Sequence, residues 1–249
     1  MIVLKTAKEL ERMKKACIIS AQALELAGKS IRPGMTTHEL DSIIHEFILS
    51  QGAKPSFLGY GGFPASACIS LNDEVIHGIP STSRVMKDGD IVKVDVGAYI
   101  DGYHGDNART FAVGEVSPEA RKLMEITEKS LYEGIKMARV GNRLGDISSA
   151  IEQCVVKEGY GVVKQFVGHG VGENLHESPD VPNYGTPGKG VRLAAGMTLA
   201  IEPMINLSGE KVYTLPDGWT VKTASGSLSA HFEHTIAITG GDPVILTRA

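Results

Sequence analysis

The sequence predicts an α+β fold made of two similar halves, in which helices back an antiparallel sheet. Three observations support this prediction. Segments with helical spacing come before segments with strand alternation in both halves. The chain resembles itself at an offset of 107 residues, which is the separation between Asp95 and Glu202. Each half carries two carboxylates at matching strand positions, so we expect a pseudo-twofold arrangement in which both halves converge on one centre.

The length and composition favour a single domain that covers residues 1–249. A chain of 249 residues, of which 42% are hydrophobic, can bury a substantial core. The duplicated halves span about residues 1–115 and 116–249. A solenoid or two separate domains would require a shorter or more frequent repeat.

The charge and the cysteine content limit the classes of partner. The formal net charge is −4 and no basic stripe runs along the chain, which argues against nucleic acid as a substrate. Three scattered cysteines offer no disulfide framework and no zinc cluster, which favours a reducing cytoplasm. No segment approaches the roughly 18 apolar residues that a membrane span requires, so we expect no membrane association.

Two capping boxes mark the first two helices. Thr6 followed by Glu9 starts the first helix, which ends before an Arg-Pro-Gly turn. Thr36 followed by Glu39 starts the second helix, and Gly52 stops it.

The pattern then changes from helical spacing to strand alternation. The segments 90–100 and 106–114 are predicted strands, and a turn at 101–105 joins them into a hairpin. Ser117 as a cap and Pro118 in the first turn start a third helix. Helical and strand segments then recur in the same order.

The offset of 107 residues aligns glycines, apolar residues and acids of the two halves. It places Asp95 over Glu202. After an insertion in the second half, Asp106 falls over Glu233. The other aligned pairs are Arg32 with Arg139, Gly34 with Gly141, Glu39 with Asp146, Leu40 with Ile147, Ser42 with Ser149, Ile44 with Ile151, Gly52 with Gly159 and Gly89 with Gly196.

Asp95 and Glu202 lie in apolar, strand-like runs, where an unpaired carboxylate is costly. A buried ionised group requires a cation, a dense set of hydrogen bonds or a proton. For one such acid, a structural ion pair or hydrogen-bonded acid is the commoner explanation. Two acids at matched positions of a repeat, each followed by another acid in an adjacent strand segment, favour metal binding.

His169 supplies a nitrogen ligand. It lies between Gly168 and Gly170, and we expect these glycines to let backbone and metal approach closely. Four carboxylates and one neutral imidazole carry a charge of about −4, which two divalent cations would neutralise. An oxygen-rich ligand set with one histidine suits Mn, Fe(II), Co or Zn. The predicted ligands are Asp95, Asp106, His169, Glu202 and Glu233.

Five motifs together resemble those of the type I methionine aminopeptidases of peptidase family M24, over essentially the whole chain. They are CISLNDEVIHGIP at 68–80, DVGAYIDGYHGD at 95–106, FVGHGVGENLH at 166–176 with its continuation through Val181 to Asn183 and Tyr184, AIEP at 200–203 and FEHT at 232–235. The resemblance implies the pita-bread fold of the creatinase and aminopeptidase type. It also implies that the five predicted ligands hold two divalent metal ions.

The resemblance further implies roles for individual residues. Glu202 would also shuttle the proton, His176 would stabilise the developing oxyanion, and His77 would contact the substrate backbone and assist proton transfer. The methionine pocket would be lined by Phe57, Tyr60, Phe63, Cys68, His77 and Trp219. The family often has Cys where Phe57 stands and Tyr where Phe63 stands. Five other histidines are interpreted as hydrogen-bonded structural residues: His38, His45, His104, His231 and His234.

The implied activity is removal of the initiator methionine from nascent proteins and peptides whose second residue is small. The resemblance also implies one monovalent cation near Asn72 and Ser229, transient association with the ribosome, and a monomer in the cytoplasm. Two alternatives remain open. A proline-specific dipeptidase or aminopeptidase has the same fold and a metal pentad. A non-catalytic pita-bread protein would bind partners without turnover.

Overall fold

The structure is a computed structural model that describes residues 1–248. Its helices are α1 (Ala7–Ser30), α2 (Thr37–Ser50), α3 (Pro118–Met137) and α4 (Leu144–Val156). Its strands are β1 (Lys54–Pro55), β2 (Ala67–Leu71), β3 (Glu74–Ile76), β4 (Ile91–Ile100), β5 (Tyr103–Ala112), β6 (Gly161–Val162), β7 (Gly168–Gly170), β8 (Glu177–Val181), β9 (Thr198–Ile201), β10 (Met204–Asn206), β11 (Val212–Thr214), β12 (Val221–Thr223), β13 (Ser229–His231), β14 (His234–Ala237) and β15 (Val244–Ile245).

The predicted helix starts are confirmed. Thr6 and Glu9 form a reciprocal capping box at α1, and Thr36 and Glu39 form another at α2. The side chain of Ser117 accepts the N–H of Ala120 at the start of α3, which has proline in its first turn. These local signals need no tertiary contact, which explains why the sequence alone locates them.

The hairpin of β4 and β5 is tighter than predicted. The turn consists of Asp101 and Gly102 alone, because Ile100 already pairs with Tyr103. Asp101 has φ 54° and Gly102 has φ 87°. Two successive residues with positive φ make the turn whose twist suits a two-residue hairpin. The predicted turn at 101–105 was therefore wrong by three residues, which belong to β5.

Every strand pairing is antiparallel among the described residues, as predicted. One sheet has the order β1-β4-β2 with β5 on β4, and the other large sheet has the order β15-β14-β9-β7-β8. Two smaller sheets have the orders β13-β10-β6 and β11-β12-β3. Helices α1 and α2 pack with β4 around one hydrophobic core, and α3 and α4 pack with β9 and β14 around another. No helix of residues 1–248 has the length and apolar character needed to cross a bilayer.

The two halves join between β5 and the segment that leads into β14. The N–H of Glu233 donates to the carbonyl of Ala108 at 2.8 Å. The hydroxyl of Thr235 donates to the carbonyl of Asp106 at 2.7 Å. These bonds bring the acids of the first half next to those of the second.

Candidate metal centre and active site

The acids of the first half come from the β4–β5 hairpin. The valines that alternate along β4 are fully buried against α1 and α2, so strand alternation turns Asp95 to the opposite face. On β5, Asp106 stands opposite Gly97, while Asp95 stands opposite Ala108. Asp95 and Asp106 are therefore diagonal neighbours on one face of the sheet.

The second half supplies its ligands from the ends of two paired strands. Glu202 directly follows β9 and Glu233 directly precedes β14, and these strands pair with His234 opposite Ile201. His169 lies on β7 and pairs with Ala200 of β9. The carboxylates thus occupy corresponding places in the two halves, and the histidine breaks the symmetry.

Gly168 and Gly170 let neighbouring backbone approach closely, as predicted. A Cβ atom on Gly168 would lie 2.3 Å from the carbonyl oxygen of Ala200, and one on Gly170 would lie 2.5 Å from that of Ser178. Any side chain at either position would collide with the backbone of a neighbouring strand. The glycines therefore permit close strand packing around His169, while their predicted role in the approach of a metal stays a prediction.

The imidazole of His169 presents one nitrogen to the acids. Its Nδ1 lies 2.8 Å from the carbonyl oxygen of Gly170, to which it donates. Its Nε2 then carries the lone pair, 3.5 Å from Oε1 of Glu202 and 3.9 Å from Oδ2 of Asp106. A hydrogen bond on Nδ1 fixes the tautomer that a metal-ligating histidine requires.

Three of the five predicted ligands form a cluster of metal-binding dimensions. Asp106, His169 and Glu233 each offer a ligand atom within 4.8 Å of the others. Several carboxylate oxygens of the site are buried without a hydrogen-bond partner, namely Oδ1 of Asp95, Oδ1 of Asp106 and Oε1 of Glu233. Buried oxygens without protein donors are the arrangement that hard divalent cations satisfy, so the donor set fits such ions.

The pKa values of the site residues also favour the binding of cations. Burial raises the pKa of Asp95, Glu202 and Glu233 well above the ordinary range, and the charge of Asp106 adds to this effect. Burial raises the pKa of Asp106 itself to about 7. It lowers the pKa of His169 to about 3. The protein alone thus favours protonated carboxyls, and cations would favour the ionised form.

Two further histidines flank this cluster. The ring of His176 lies 4.2 Å from that of His169, and its Nδ1 makes a 2.8 Å hydrogen bond with the hydroxyl of Tyr60. His77 has φ 58°, an unfavourable conformation for a residue with a side chain, which is characteristic of functional sites. Burial lowers the pKa of His77 to about 4 and also lowers that of His176. Both imidazoles are neutral near pH 7.

One pocket of about 130 Å³ brings all the predicted site residues together. The acids and histidines form one part of its wall. Apolar and aromatic side chains form the rest, with Trp219 edge-on to Phe63 at 5.1 Å between ring centroids. The pocket is lined by Phe57, Tyr60, Phe63, Cys68, His77, Asp95, Asp106, His169, Leu175, His176, Glu202, Trp219 and Glu233.

Two residues at the site were not assigned to it from the sequence. Leu175 lines the pocket, and its position inside the motif at 166–176 is the signal that could have identified it. His231, which the sequence analysis treats as structural, lies with Nε2 3.6 Å from Oε2 of Glu202. No local sequence pattern predicts the contact between His231 and Glu202, because it depends on the pairing of β13 with β10.

Comparison with known proteins agrees with this geometry. The model of metallopeptidase family M24 matches residues 11–240. A methionine aminopeptidase of Clostridium perfringens is 55% identical over 247 residues, which cover 99% of each chain. The crystal structure of methionine aminopeptidase from Thermotoga maritima superposes with a TM-score of 0.98 at 47% identity over 100% of both chains. The prolidase of Pyrococcus furiosus superposes with a TM-score of 0.80 at 26% identity, covering 99% of this chain and 66% of that one.

The chain belongs to metallopeptidase family M24, which has the pita-bread fold predicted from the sequence. Within that family it is a member of the methionine aminopeptidases. Its identity to them extends over full chains, whereas the prolidase shares only the catalytic fold and carries additional chain.

Proposed function

We propose that this protein removes N-terminal methionine from peptides and nascent proteins whose second residue is small, using two divalent metal ions. The observation that carries the proposal is a single pocket in which a carboxylate and histidine cluster adjoins an apolar wall. Such a pocket can hold a thioether side chain and present the following peptide bond to the cluster. The proposal also places the enzyme in the cytoplasm, as a monomer that acts on chains emerging from the ribosome.

Asp95, Asp106, His169, Glu202 and Glu233 would hold the metal ions. The partnerless oxygens of Asp95, Asp106 and Glu233, and the free Nε2 of His169, support this assignment. Divalent ions such as Co, Mn, Fe(II) or Zn supply Lewis-acid polarisation of a carbonyl and make water acidic near neutral pH. Which of these ions acts in the cell depends on supply as well as on the ligands.

Glu202 is proposed to hold and move the proton. Its carboxylate is buried, and burial together with the charge of Asp106 raises its pKa. With the metal ions bound the carboxylate would be ionised, so it could accept a proton from the attacking water and release it to the departing amine. The position of Oε1 near His169 keeps this group at the proposed metal centre.

His176 and His77 are proposed to act as neutral donors. The Nδ1 of His176 is engaged with Tyr60, which leaves Nε2 to face the pocket. A positioned N–H there can stabilise negative charge on the former carbonyl oxygen. His77 lies in the same wall, 6.2 Å from Trp219 between ring centroids, where it can contact the substrate backbone.

The apolar part of the pocket is proposed to select methionine. Phe57, Phe63 and Cys68 are buried, with 7%, 3% and 6% of their surface exposed, and they leave a narrow slot beside Leu175. An unbranched, polarizable side chain adapts to such a slot better than a branched one. Phe57 and Phe63 stand where relatives often carry Cys and Tyr, so this wall is the more aromatic and apolar variant.

A peptide panel tests the proposal. The protein loaded with Mn(II) or Co(II) should release methionine from Met-Ala-Ser faster than from peptides with a large second residue, and it should not cleave Ala-Pro peptides. Exclusive cleavage before proline would instead establish the prolidase alternative. Failure to release methionine from any short peptide with either metal would establish the non-catalytic alternative.

A further inference from the structure

We propose that the amino group of Lys93 takes the place of the monovalent cation expected near Asn72 and Ser229. The protein would then need neither potassium nor sodium for stability or turnover. The inference concerns a buried lysine of β4 that the proposed reaction does not use.

Lys93 lies on β4 two residues before Asp95, so its side chain projects from the same face of the sheet. Only 1% of Lys93 is exposed. Lysine is almost never buried to this extent unless its amino group meets a specific partner. That partner is the backbone carbonyl oxygen of Asn72, which accepts a hydrogen bond from Nζ at 2.7 Å.

The oxygen atoms that a cation would use already take part in hydrogen bonds within the protein. The carbonyl oxygen of Asn72 also accepts the N–H of Ser229 at 3.0 Å, and a carbonyl oxygen has two lone pairs. Oδ1 of Asn72 accepts the N–H of Ile91 at 3.0 Å. The hydroxyl of Ser229 donates to Oδ1 of Asn206 at 2.9 Å. The main-chain carbonyl oxygen of Asn72 therefore has both lone pairs engaged, and the hydroxyl hydrogen of Ser229 is directed at Asn206.

The neighbouring acids also have partners within the chain, since Asp90 accepts an N–H of the Asn72 side-chain amide at 2.8 Å and the main-chain N–H of Lys87 at 2.7 Å. Asp73 pairs with Nζ of Lys222 at 2.7 Å, and Glu74 pairs with Arg84. An added cation at the Asn72 carbonyl oxygen would have to displace the Lys93 amino group that already occupies that position.

The first test compares monovalent salts on the protein loaded with Mn(II). In potassium, sodium and choline chloride at equal ionic strength, we expect the same melting temperature. The rate of methionine release from Met-Ala-Ser should agree within about twofold. A melting temperature or rate that rises saturably with potassium or sodium, but not with choline, would overturn the proposal.

The second test removes the Lys93 amino group by substitution. In Lys93→Asn the shorter side chain cannot reach the Asn72 carbonyl, so that oxygen becomes available, and we expect stability and rate to rise with added potassium. Lys222→Met is the matched control, because it removes an amine that pairs with the same loop without touching Asn72. The control should stay insensitive to potassium. A Lys93→Asn variant that ignores potassium would contradict the proposal.

A third measurement remains decisive if Lys93→Asn does not fold. Crystals of the wild-type protein soaked in thallium(I), which replaces potassium and scatters anomalously, should show no peak in contact with the Asn72 carbonyl oxygen. A thallium peak at that oxygen would show that the cation site is open, and the proposal would fail.

Discussion

Nε2 of His231 lies 3.6 Å from Oε2 of Glu202, on the side of that carboxylate away from His169. His231 is 1% exposed, and neither of its ring nitrogens has a hydrogen-bond partner among the described residues. Burial lowers the pKa of His231 to about 3, so its ring is neutral, and its Nε2 lies just beyond hydrogen-bonding distance of Glu202. Glu202 thus lies between two imidazoles, one of which faces the proposed metal centre.

We therefore expect His231→Ala to misplace Glu202. Loss of a residue that orients a metal ligand typically costs about 10- to 100-fold in metal affinity or activity. His231→Gln retains an amide donor and should keep most of the function. The measurements are kcat/KM for Met-Ala-Ser and the affinity for Mn(II). Wild-type values of both in His231→Ala would show that His231 is only a packing residue.

The metal-free protein should lose stability as the pH rises above about 6.5. A buried carboxyl with a raised folded pKa binds its proton more tightly when folded, so its contribution is lost as the pH passes through that pKa. The pKa of Asp106 is about 7, and those of Asp95, Glu202 and Glu233 are also raised by burial. Buried histidines such as His169 act in the opposite sense, but only below their unfolded value of 6.5.

Urea unfolding between about pH 6.5 and 8 isolates the carboxyls. With chelator present, the free energy of unfolding should fall by about 1.4 kcal/mol per pH unit for each carboxyl that is still protonated in the folded state. With Mn(II) bound, the carboxylates are ionised in the folded protein, and the fall should disappear. A metal-free protein whose stability is constant or rises over this range would contradict the electrostatic account of the site.

Trp219→Ala should weaken binding of the substrate side chain. Trp219 packs edge-on against Phe63, and its loop is fixed by Asp217, which accepts the N–H groups of Trp219 and Thr220 at 2.8 and 2.9 Å. We expect kcat/KM for Met-Ala-Ser to fall by at least about tenfold, mainly through KM. Tyr213→Ala, at a side chain that is 49% exposed, is the control and should leave KM unchanged. Equal effects of both variants would exclude a specific role for Trp219.

Lys5→Met should destabilise the fold and impair the loop that carries His176. Lys5 and Glu177 form an ion pair whose side chains are only 3% and 8% exposed. Removing one partner of a buried pair costs about 3–5 kcal/mol, because the other charge is left uncompensated. The pair of Lys15 and Asp101 is 63% and 41% exposed, so Lys15→Met should cost at most about 1 kcal/mol. Urea unfolding of the two variants measures the difference, and similar losses would contradict this ranking.

The sequence predicts those parts of the fold that depend on local signals. The caps at Thr6, Thr36 and Ser117 are satisfied within one helical turn, and the alternation along β4 fixes which face carries Asp95. The repeat at 107 residues added long-range information, because equivalent positions of two halves must meet at their common axis. The repeat therefore allowed the four carboxylate ligands to be predicted although the sequence has no short metal-binding motif.

The features that were missed depend on contacts between distant segments. Close backbone approach at Gly168 and Gly170 was predicted, but the backbone that approaches, at Ala200 and Ser178, could not be identified from the sequence. His231 meets Glu202 only once β13 has paired with β10. Lys93 meets Asn72 across the β2–β4 region. No single segment of the sequence contains both partners of these contacts.

The most direct test follows methionine release while Mn(II) is titrated into metal-free wild-type protein and Glu202→Gln. The wild-type rate for Met-Ala-Ser should rise from baseline as metal binds. Glu202→Gln should stay at least about a hundredfold slower at saturating metal, while its circular dichroism and folded pocket remain. Near-normal turnover by Glu202→Gln, or methionine release by wild-type protein that does not depend on metal, would contradict the account.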